Sequence, residues 1–593
     1  MFLNCHTYHS LRYGTISVED LVQLAVDYQL KVLALTDINT VTGIYQFYKL
    51  CQEKGIKPIV GMDIRVENEQ YYICLAKNPK GIAEVNRLLT NYNYEGIEIA
   101  KANPELKDSF VIYPLTNIPE KLLEHEFIGI RQDELNRLFD PELKALTHKM
   151  VILHPVTFKT DEEYELHKVL RAIAGNTLFT KLTEDDYCKS NENFIGKRGL
   201  LEKYSQYPEI IENTKYIVDE CSFDFDFKTP KNKKYYTENK ENDFKLLKKL
   251  AYEGLDKRYP DDNVQAKARV DKELAVIDQL NFCGYFLITW DIVQYSNRMD
   301  FMHVGRGSGA NSIVSYCIGI TDICPLELDL YFERFLNLNR KTPPDFDLDW
   351  SWKNRDTILE YIFKKYGKNH VAFCGTNVEF KSRSRFRELG KVFGLPKEEL
   401  DLLSKKPKDQ HDQNSIVQEI YKYEKLLVGF PNQRSMHSCG ILISEDPITN
   451  YSALEFPPKE FPIVQFDMHT AEDIGLEKFD ILSQRGLGTI KDTVKLIEEK
   501  RGIIVDIEDT RISKGETKCN EFLSIGKTIG CFYIESPAMR GLLRRLKCDN
   551  YKVLVAASSI IRPGVAQSGM MREYIFRHNH PDQFEYFHEV FEK

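Results

Sequence analysis

Between Pro343 and Trp350 the chain reads Pro-Pro-Asp-Phe-Asp-Leu-Asp-Trp, and this run constrains the fold more than any other. Alternate residues of a strand face the same side. A strand here therefore lines up Asp345, Asp347 and Asp349 on one face and Phe346, Leu348 and Trp350 on the other. Three carboxylates so close repel one another, and a strand tolerates them only where cations neutralise them. Hard oxygen ligands in this arrangement suit Mg²⁺, which binds through one or two carboxylates together with substrate phosphates. A solvated acidic turn after the two prolines is the alternative, and the apolar alternation speaks for the strand.

Three other motifs gain weight beside it. In Gly475-Leu-Glu-Lys-Phe-Asp-Ile-Leu482, Lys478 and Asp480 are two residues apart and share a strand face. Taken alone, such an aspartate is more often a cap or turn residue than a ligand. Val304-Gly-Arg-Gly-Ser-Gly-Ala-Asn-Ser312 precedes an apolar helix start at Ile313-Val314. Glycines let a backbone approach a ligand, and N–H groups at a helix start favour an anion. The pattern lacks both the Lys-Ser/Thr of a P-loop and the third glycine of a dinucleotide fingerprint, and a flexible turn is equally compatible. Lys381 to Lys391 carries five cations and one acid, and Met539 to Lys547 carries four cations and none. Such clusters mark a polyphosphate partner, although solvated helix faces look the same.

With 593 residues, 42% of them hydrophobic and 28% charged, the chain is of ordinary globular composition and long enough for about three to five domains. Its net charge of −9 points gently away from a partner as acidic as DNA. That average conceals the two basic clusters and an acidic run suited to holding cations. No stretch has the 18 or so apolar residues of a membrane span, and the start lacks a signal peptide's basic and apolar regions, so a cytoplasmic location is expected. The 13 cysteines never fall as Cys-x-x-Cys, which argues against a zinc ribbon or thioredoxin-type site and leaves reduced thiols.

The first sixty residues alternate helix and strand. Ser17-Val-Glu-Asp20 reads as a capping box ahead of a helix through Leu21, Leu24, Ala25 and Tyr28. Lys31–Leu35 and Lys57–Gly61 read as strands around a helix from Thr42 to Glu53. Asp37 and Asp63 fall near strand C-terminal ends, where β/α folds place their sites, with caps and turns as the alternative role. Pro, Lys and Asn crowd residues 223–242 without periodicity, which marks a linker or boundary. Helical spacing runs from Asp243 to Leu255 and from Val264 to Leu280, and the aromatic-rich run Tyr285–Val293 reads as a strand.

Taken in order, these residues make the chain resemble the bacterial family C DNA polymerases, the DNA polymerase III α subunit. The most specific stretches are Gly305-Arg-Gly-Ser-Gly-Ala through Ile320-Thr-Asp, Phe332-Glu-Arg-Phe-Leu-Asn337 and Pro344-Asp-Phe-Asp-Leu-Asp349. His437-Ser-Cys-Gly-Ile-Leu-Ile-Ser444, Gln465-Phe-Asp, Lys478-Phe-Asp-Ile-Leu482 and Arg562-Pro-Gly-Val-Ala-Gln-Ser-Gly569 continue the series. The resemblance implies a multidomain α/β and α+β protein. Its parts would be a PHP-type β/α barrel over residues 1–222, a polymerase β-like palm over 223–375 and 437–485, a mostly helical thumb over 376–436, and partial fingers over 486–593. It also implies template-directed addition of dNMP from dNTP to a primer. Asp345, Asp347 and Asp480 would be the catalytic triad holding two Mg²⁺. Arg306, Gly307, Ser308, Lys478, Arg540, Arg544, Arg545 and Arg562 would face nucleotide or phosphates, and Lys381, Arg383 and Arg387 would face DNA. Template–primer and dNTPs are the implied partners, with a sliding clamp and proofreading exonuclease engaged through regions the chain does not include.

The sequence departs from the family pattern in three places. Where the PHP pattern has a His-x-His pair, this chain has Asn4 and His6; Thr-Asp-His is Thr36-Asp37-Ile38; Asn-Asp-Val-His is His154-Pro-Val-Thr157. His6, Asp37 and Asp63 remain, with His9 nearby, so no metal and no phosphoesterase or proofreading activity is expected in that domain. Ser483-Gln-Arg-Gly replaces the usual Leu-Gly-Leu-Arg context, which suits an error-prone or accessory relative. The family also continues for several hundred residues beyond Arg562-Pro-Gly, so the chain reads as a fragment or as a naturally short relative. Two other readings stand beside the polymerase: a non-catalytic DNA-binding remnant and a PHP-type metal phosphoesterase.

Overall fold

A computed structural model describes every residue except 1, 262, 341–342, 344–345, 406–413, 460, 508–513, 515 and 592–593, together with the side chain of residue 404. Asp345, the first carboxylate of the acidic run, lies outside the described residues. The chain divides into two compact units, Met1–Lys234 with Ile362–Asp480, and Tyr235–Tyr361 with Ile481–Lys593.

In the first unit Ser17 Oγ accepts the Asp20 N–H at 3.0 Å and caps helix Val18–Asp27, which buries Leu21, Val22 and Ala25. Eight short strands follow the N-terminal alternation: β1 (Asn4–Cys5), β2 (Val32–Leu35), β3 (Lys57–Val66), β4 (Glu69–Ala76), β5 (Ser109–Pro114), β6 (Glu126–Ile130), β7 (Met150–Ile152) and β8 (Pro155–Val156). β2 to β7 form one six-stranded sheet in chain order. β2–β3 and β5–β6–β7 are parallel, and β3–β4–β5 are antiparallel. β1 pairs with β8, and Thr36 N–H donates to Cys5 O at 3.0 Å, tying the end of β2 to β1. The result is a half-barrel sheet. Its strands are buried along most of their length, and the hairpin end of the antiparallel pair β3–β4, from Arg65 to Tyr71, is the part that reaches solvent.

The second segment of this unit adds a further sheet. Leu454–Glu455, Ile463–Val464, Val371–Glu379, Pro431–Ile443 and the start of Lys478–Gln484 lie side by side. One apolar core holds Tyr45 and Phe47 together with Cys374, Leu442, Val464 and Phe466. A second core joins Leu166 and Leu170 of helix Asp161–Ala174 to Phe386, Leu389 and Ile420 of helices Ser382–Val392 and Ser415–Leu426.

The second unit opens with helices Lys240–Arg258, Val264–Gln279 and Cys283–Arg298. The run Tyr285–Val293, expected as a strand, is the middle of the third helix. Phe286, Leu287, Ile288, Thr289, Ile292 and Val293 are all buried. A helix covered on nearly every side shows no polar stripe, and an unbroken apolar run does not distinguish it from a buried strand. His303–Arg306 and Asp347–Ser351 form an antiparallel pair, and Trp350 Nε1–H donates to Ser296 Oγ at 2.7 Å. Helices Pro537–Leu546, Tyr551–Ile560 and Met570–Asn579 close around Leu542, Leu543, Leu546 and Ala557. Among the described residues no helix is long and apolar enough to cross a membrane.

Candidate functional site

In the second unit the acidic run forms the strand its alternation predicts from Asp347 onward. Leu348 and Trp350 are buried, while Asp347 and Asp349 share the other face. Asp347 is directly opposite Arg306 across the strand pair. The Arg306 guanidinium reaches both carboxylates, with Nε on Asp349 Oδ2 at 2.9 Å and Nη1 on Asp347 Oδ2 at 3.2 Å. Burial works against the guanidinium's charge, and the two carboxylates outweigh it, so the Arg306 pKa is raised. Asp349 Oδ1 is buried with no hydrogen-bond partner among the described residues.

Steric demands explain the glycines after Arg306. A Cβ on Gly305 would lie 2.0 Å from Ile320 O, and Gly307 has φ +75° with its Cβ position 2.9 Å from Asp347 Oδ2. The loop then enters a five-residue helix, Ile313–Cys317. Its start is held by Glu273, a buried carboxylate that accepts from Ser312 Oγ at 2.8 Å and Val314 N at 3.1 Å and pairs with Arg269 Nε at 3.0 Å. Ser308 lies on this loop, half-buried.

In the first unit Lys478 and Asp480 share a strand face as the spacing requires, and Lys478 Nζ donates to Asp480 Oδ2 at 2.5 Å. Asp480 Oδ1 is buried and has no partner among the described residues. The neighbouring strand, Pro431–Ile443, is irregular here. Phe373 pairs with Ile441 but Gly375 pairs with Met436, so Cys374 alone faces the four residues His437–Gly440. Bulges of this kind re-aim side chains. His437 Nδ1 folds back to accept the Gly440 N–H at 2.8 Å. A Cβ at Gly440 would meet that nitrogen at 2.9 Å. The bulge brings ligand atoms of His437, Cys439 and Asp480 within 4.8 Å of one another. Burial lowers the His437 pKa and pushes the Cys439 thiol up to about 11. The motif His437-Ser-Cys-Gly is visible in the sequence, but its approach to Asp480 depends on the bulge and could not be read there.

The three remnants of the N-terminal site come together in the first unit, and each makes hydrogen bonds within the protein, while Asp63 Oδ1 is buried with no partner among the described residues. Asp37 accepts from Thr7 N at 2.6 Å, Thr7 Oγ1 at 2.7 Å and Ser10 Oγ at 2.7 Å. Asp63 Oδ2 takes His6 Nε2 at 2.9 Å, Arg65 Nη2 at 2.8 Å and Gln70 Nε2 at 2.9 Å. Burial opposes the Asp63 charge, and Arg65 and His6 more than compensate, holding its carboxyl well below the ordinary range. Arg65 carried no signal in the sequence, yet it places a guanidinium against the carboxylate.

The basic clusters sort by partner. On helix Ser382–Val392, Lys381 pairs with Glu379 at 3.0 Å, Arg385 with Glu424 at 2.7 Å and Lys391 with Glu388 at 2.8 Å. Arg383 and Arg387, one turn apart, are exposed on the same face. Helix Pro537–Leu546 turns Met539, Leu542, Leu543 and Leu546 inward and leaves Arg544 and Arg545 exposed, while Arg540 Nε donates to Gly526 O at 3.0 Å. Arg562 is exposed at the head of helix Pro563–Gln567.

Comparison with known proteins adds three family matches. Residues 3–130 match the PHP domain, 245–483 the bacterial DNA polymerase III alpha NTPase domain, and 486–593 the bacterial DNA polymerase III alpha subunit finger domain. Similar curated proteins include an error-prone DNA polymerase of Symbiobacterium thermophilum, 29% identical over 99% of this chain and 60% of that protein. DNA polymerase III subunit alpha of Halalkalibacterium halodurans is 30% identical over 95% of this chain and 55% of its own length. The same subunit of Staphylococcus aureus is 31% identical over 99% and 56%. The chain thus spans between 55% and 60% of the length of these relatives.

Proposed function

The chain belongs to the bacterial family C DNA polymerases, the DNA polymerase III alpha family, and from that membership we propose that it is a DNA-directed DNA polymerase. It would act in the cytoplasm, in replication or repair, adding dNMP from dNTP to a primer 3′-OH. On this reading residues 1–222 form a PHP-like domain, 223–375 and 437–485 a polymerase β-like palm, 376–436 a thumb and 486–593 part of the fingers.

The observation that carries the reading is Asp480, a buried carboxylate with one oxygen on Lys478 and the other without a partner among the described residues, in the family's Lys-Phe-Asp context. Asp345, Asp347 and Asp480 would hold two Mg²⁺, which supply activation of the primer hydroxyl and neutralisation of the leaving pyrophosphate. Each unit separately offers carboxylate oxygen suited to a hard cation: among the described residues one oxygen of Asp349 in the second unit, and one of Asp480 in the first, has no hydrogen-bond partner. Arg306 neutralises Asp347 and Asp349 here; once a cation does so, its guanidinium can turn to triphosphate oxygens, for which its fork suits it. Lys478 holds Asp480 in orientation and offsets charge on the transferring phosphoryl group. Arg544, Arg545 and Arg562, with Arg383 and Arg387, offer exposed cations to the phosphate backbone.

The N-terminal domain is metal-free on this reading, supported by the protein donors that fill Asp37 and by the guanidinium and imidazole on Asp63 Oδ2, although Asp63 Oδ1 has no hydrogen-bond partner among the described residues. Primer extension with Mg²⁺ tests the proposal. The chain should extend a primer on a template, and Asp347→Ala should lower the rate by at least about a thousandfold while the protein stays folded. Absence of extension by the unaltered chain, or normal extension by the variant, would sink it.

A further inference from the structure

The polymerase reading gives the side chains of the bulge His437–Gly440 no chemical role, although the stretch is among those that carry the family resemblance and lies beside Asp480. It places an imidazole nitrogen, a thiol sulfur and a carboxylate oxygen within 4.8 Å of one another, the spacing of ligands around a single ion. A second observation points the same way. Asp480 is 6% exposed; its Oδ2 is taken by Lys478, and its Oδ1 is buried without a hydrogen-bond partner among the described residues. An unmet carboxylate oxygen in such a place costs free energy unless a ligand satisfies it.

From this geometry we propose that His437, Cys439 and Asp480 form a binding site for one borderline-soft divalent cation of the Zn²⁺ class. Thiolate and imidazole are poor ligands for Mg²⁺ and good ones for Zn²⁺, which accepts nitrogen, sulfur and oxygen in a tetrahedral set and keeps a fourth position for water. Binding exchanges the Cys439 S–H bond for a sulfur–metal bond and releases the proton to solvent. Gly440 makes room for the His437 ring, and the Lys478 ammonium on Oδ2 leaves Oδ1 as the donor. The site's existence is independent of the polymerase reading; its consequence rests on that reading. An ion held here takes Asp480 away from the hard cations of nucleotide addition, so Zn²⁺ acts as an inhibitor competing with Mg²⁺.

The test titrates the full chain, stripped with a chelator, with Co²⁺ as the coloured stand-in for Zn²⁺. The expected result is thiolate-to-cobalt charge-transfer absorption that saturates at one equivalent and is lost in Cys439→Ala. Cys439→Ser, nearly isosteric, should lose it as well and serves if the alanine variant fails to fold. Asp480→Asn should keep the absorption but bind at least about tenfold more weakly. A missing band in the unaltered chain overturns the site. So does a band that persists in both Cys439 variants, because another thiol such as exposed Cys519 or Cys531 would then be its source. In a parallel Mg²⁺-supported extension assay, Zn²⁺ should inhibit the unaltered chain and spare the Cys439 variants. A chain that binds Co²⁺ as described but extends no primer overturns the polymerase reading alone; one that extends primers without the cobalt band overturns the site alone.

Discussion

His167 is buried in the first unit with both ring nitrogens engaged: Nδ1 donates to Tyr13 O at 2.6 Å and Nε2 accepts the Cys188 N–H at 2.9 Å. One neutral tautomer satisfies both bonds, and a second ring proton would point at a donor. Burial accordingly pulls the His167 pKa down to about 4. Above the ordinary value of about 6.5 both folded and unfolded states are neutral, and the full stabilisation is present. As pH falls from there toward 4 the unfolded chain takes up the proton first, so stability is lost, by about 3 kcal/mol over the whole window. Amide-exchange protection of helix Asp161–Ala174, corrected for intrinsic rates, should fall between about pH 7.5 and about pH 5. His167→Gln should remove roughly 2 kcal/mol of that pH dependence. Equal pH dependence in the variant would show that the proton is taken up elsewhere.

Helix Pro537–Leu546 separates its tasks by face. Its leucines join the core with Ala557, and Arg544 and Arg545 point to solvent without an ion-pair partner among the described residues. Arg544→Ala with Arg545→Ala should therefore leave stability within about 0.5 kcal/mol. The same change should weaken duplex binding and reduce the slope of log affinity against log salt by about two if each arginine meets a phosphate. An unchanged slope would remove this helix from the DNA path. The Ser17 cap and the helix it starts were legible because that helix has a solvent side, and the Phe346-Leu348-Trp350 face because its apolar residues alternate with carboxylates. The helix through Tyr285–Val293 was misread because burial on nearly all sides erases that contrast. The approach of His437 and Cys439 to Asp480 was hidden because it is fixed by an irregular pairing with residues of another strand. Arg65 was hidden for a simpler reason: an arginine two residues beyond an aspartate is ordinary, and only its burial against Asp63 makes it informative.

At the scale of the molecule the first unit is discontinuous in sequence, and this has a measurable cost. Its principal core draws Tyr45, Phe47 and Tyr48 from the first segment and Cys374, Leu442, Val464, Phe466 and Leu476 from the second. Hydrogen bonds cross the same boundary: Tyr45 Oη donates to Tyr451 O at 2.7 Å, Asn86 Nδ2 to Thr449 O at 3.0 Å, and Val41 N to Gln465 Oε1 at 3.0 Å. A fragment ending at Lys234 would leave those aromatic side chains facing water, and a contiguous apolar surface of that kind favours association or a loosely packed state. The fragment should bind a hydrophobic dye such as ANS and lack a cooperative thermal transition, although its half-barrel strands are all present. The intact chain should do neither. A soluble fragment with a sharp transition and no dye binding would show that the half-barrel is self-sufficient, and that residues 362–480 dock on a domain already folded.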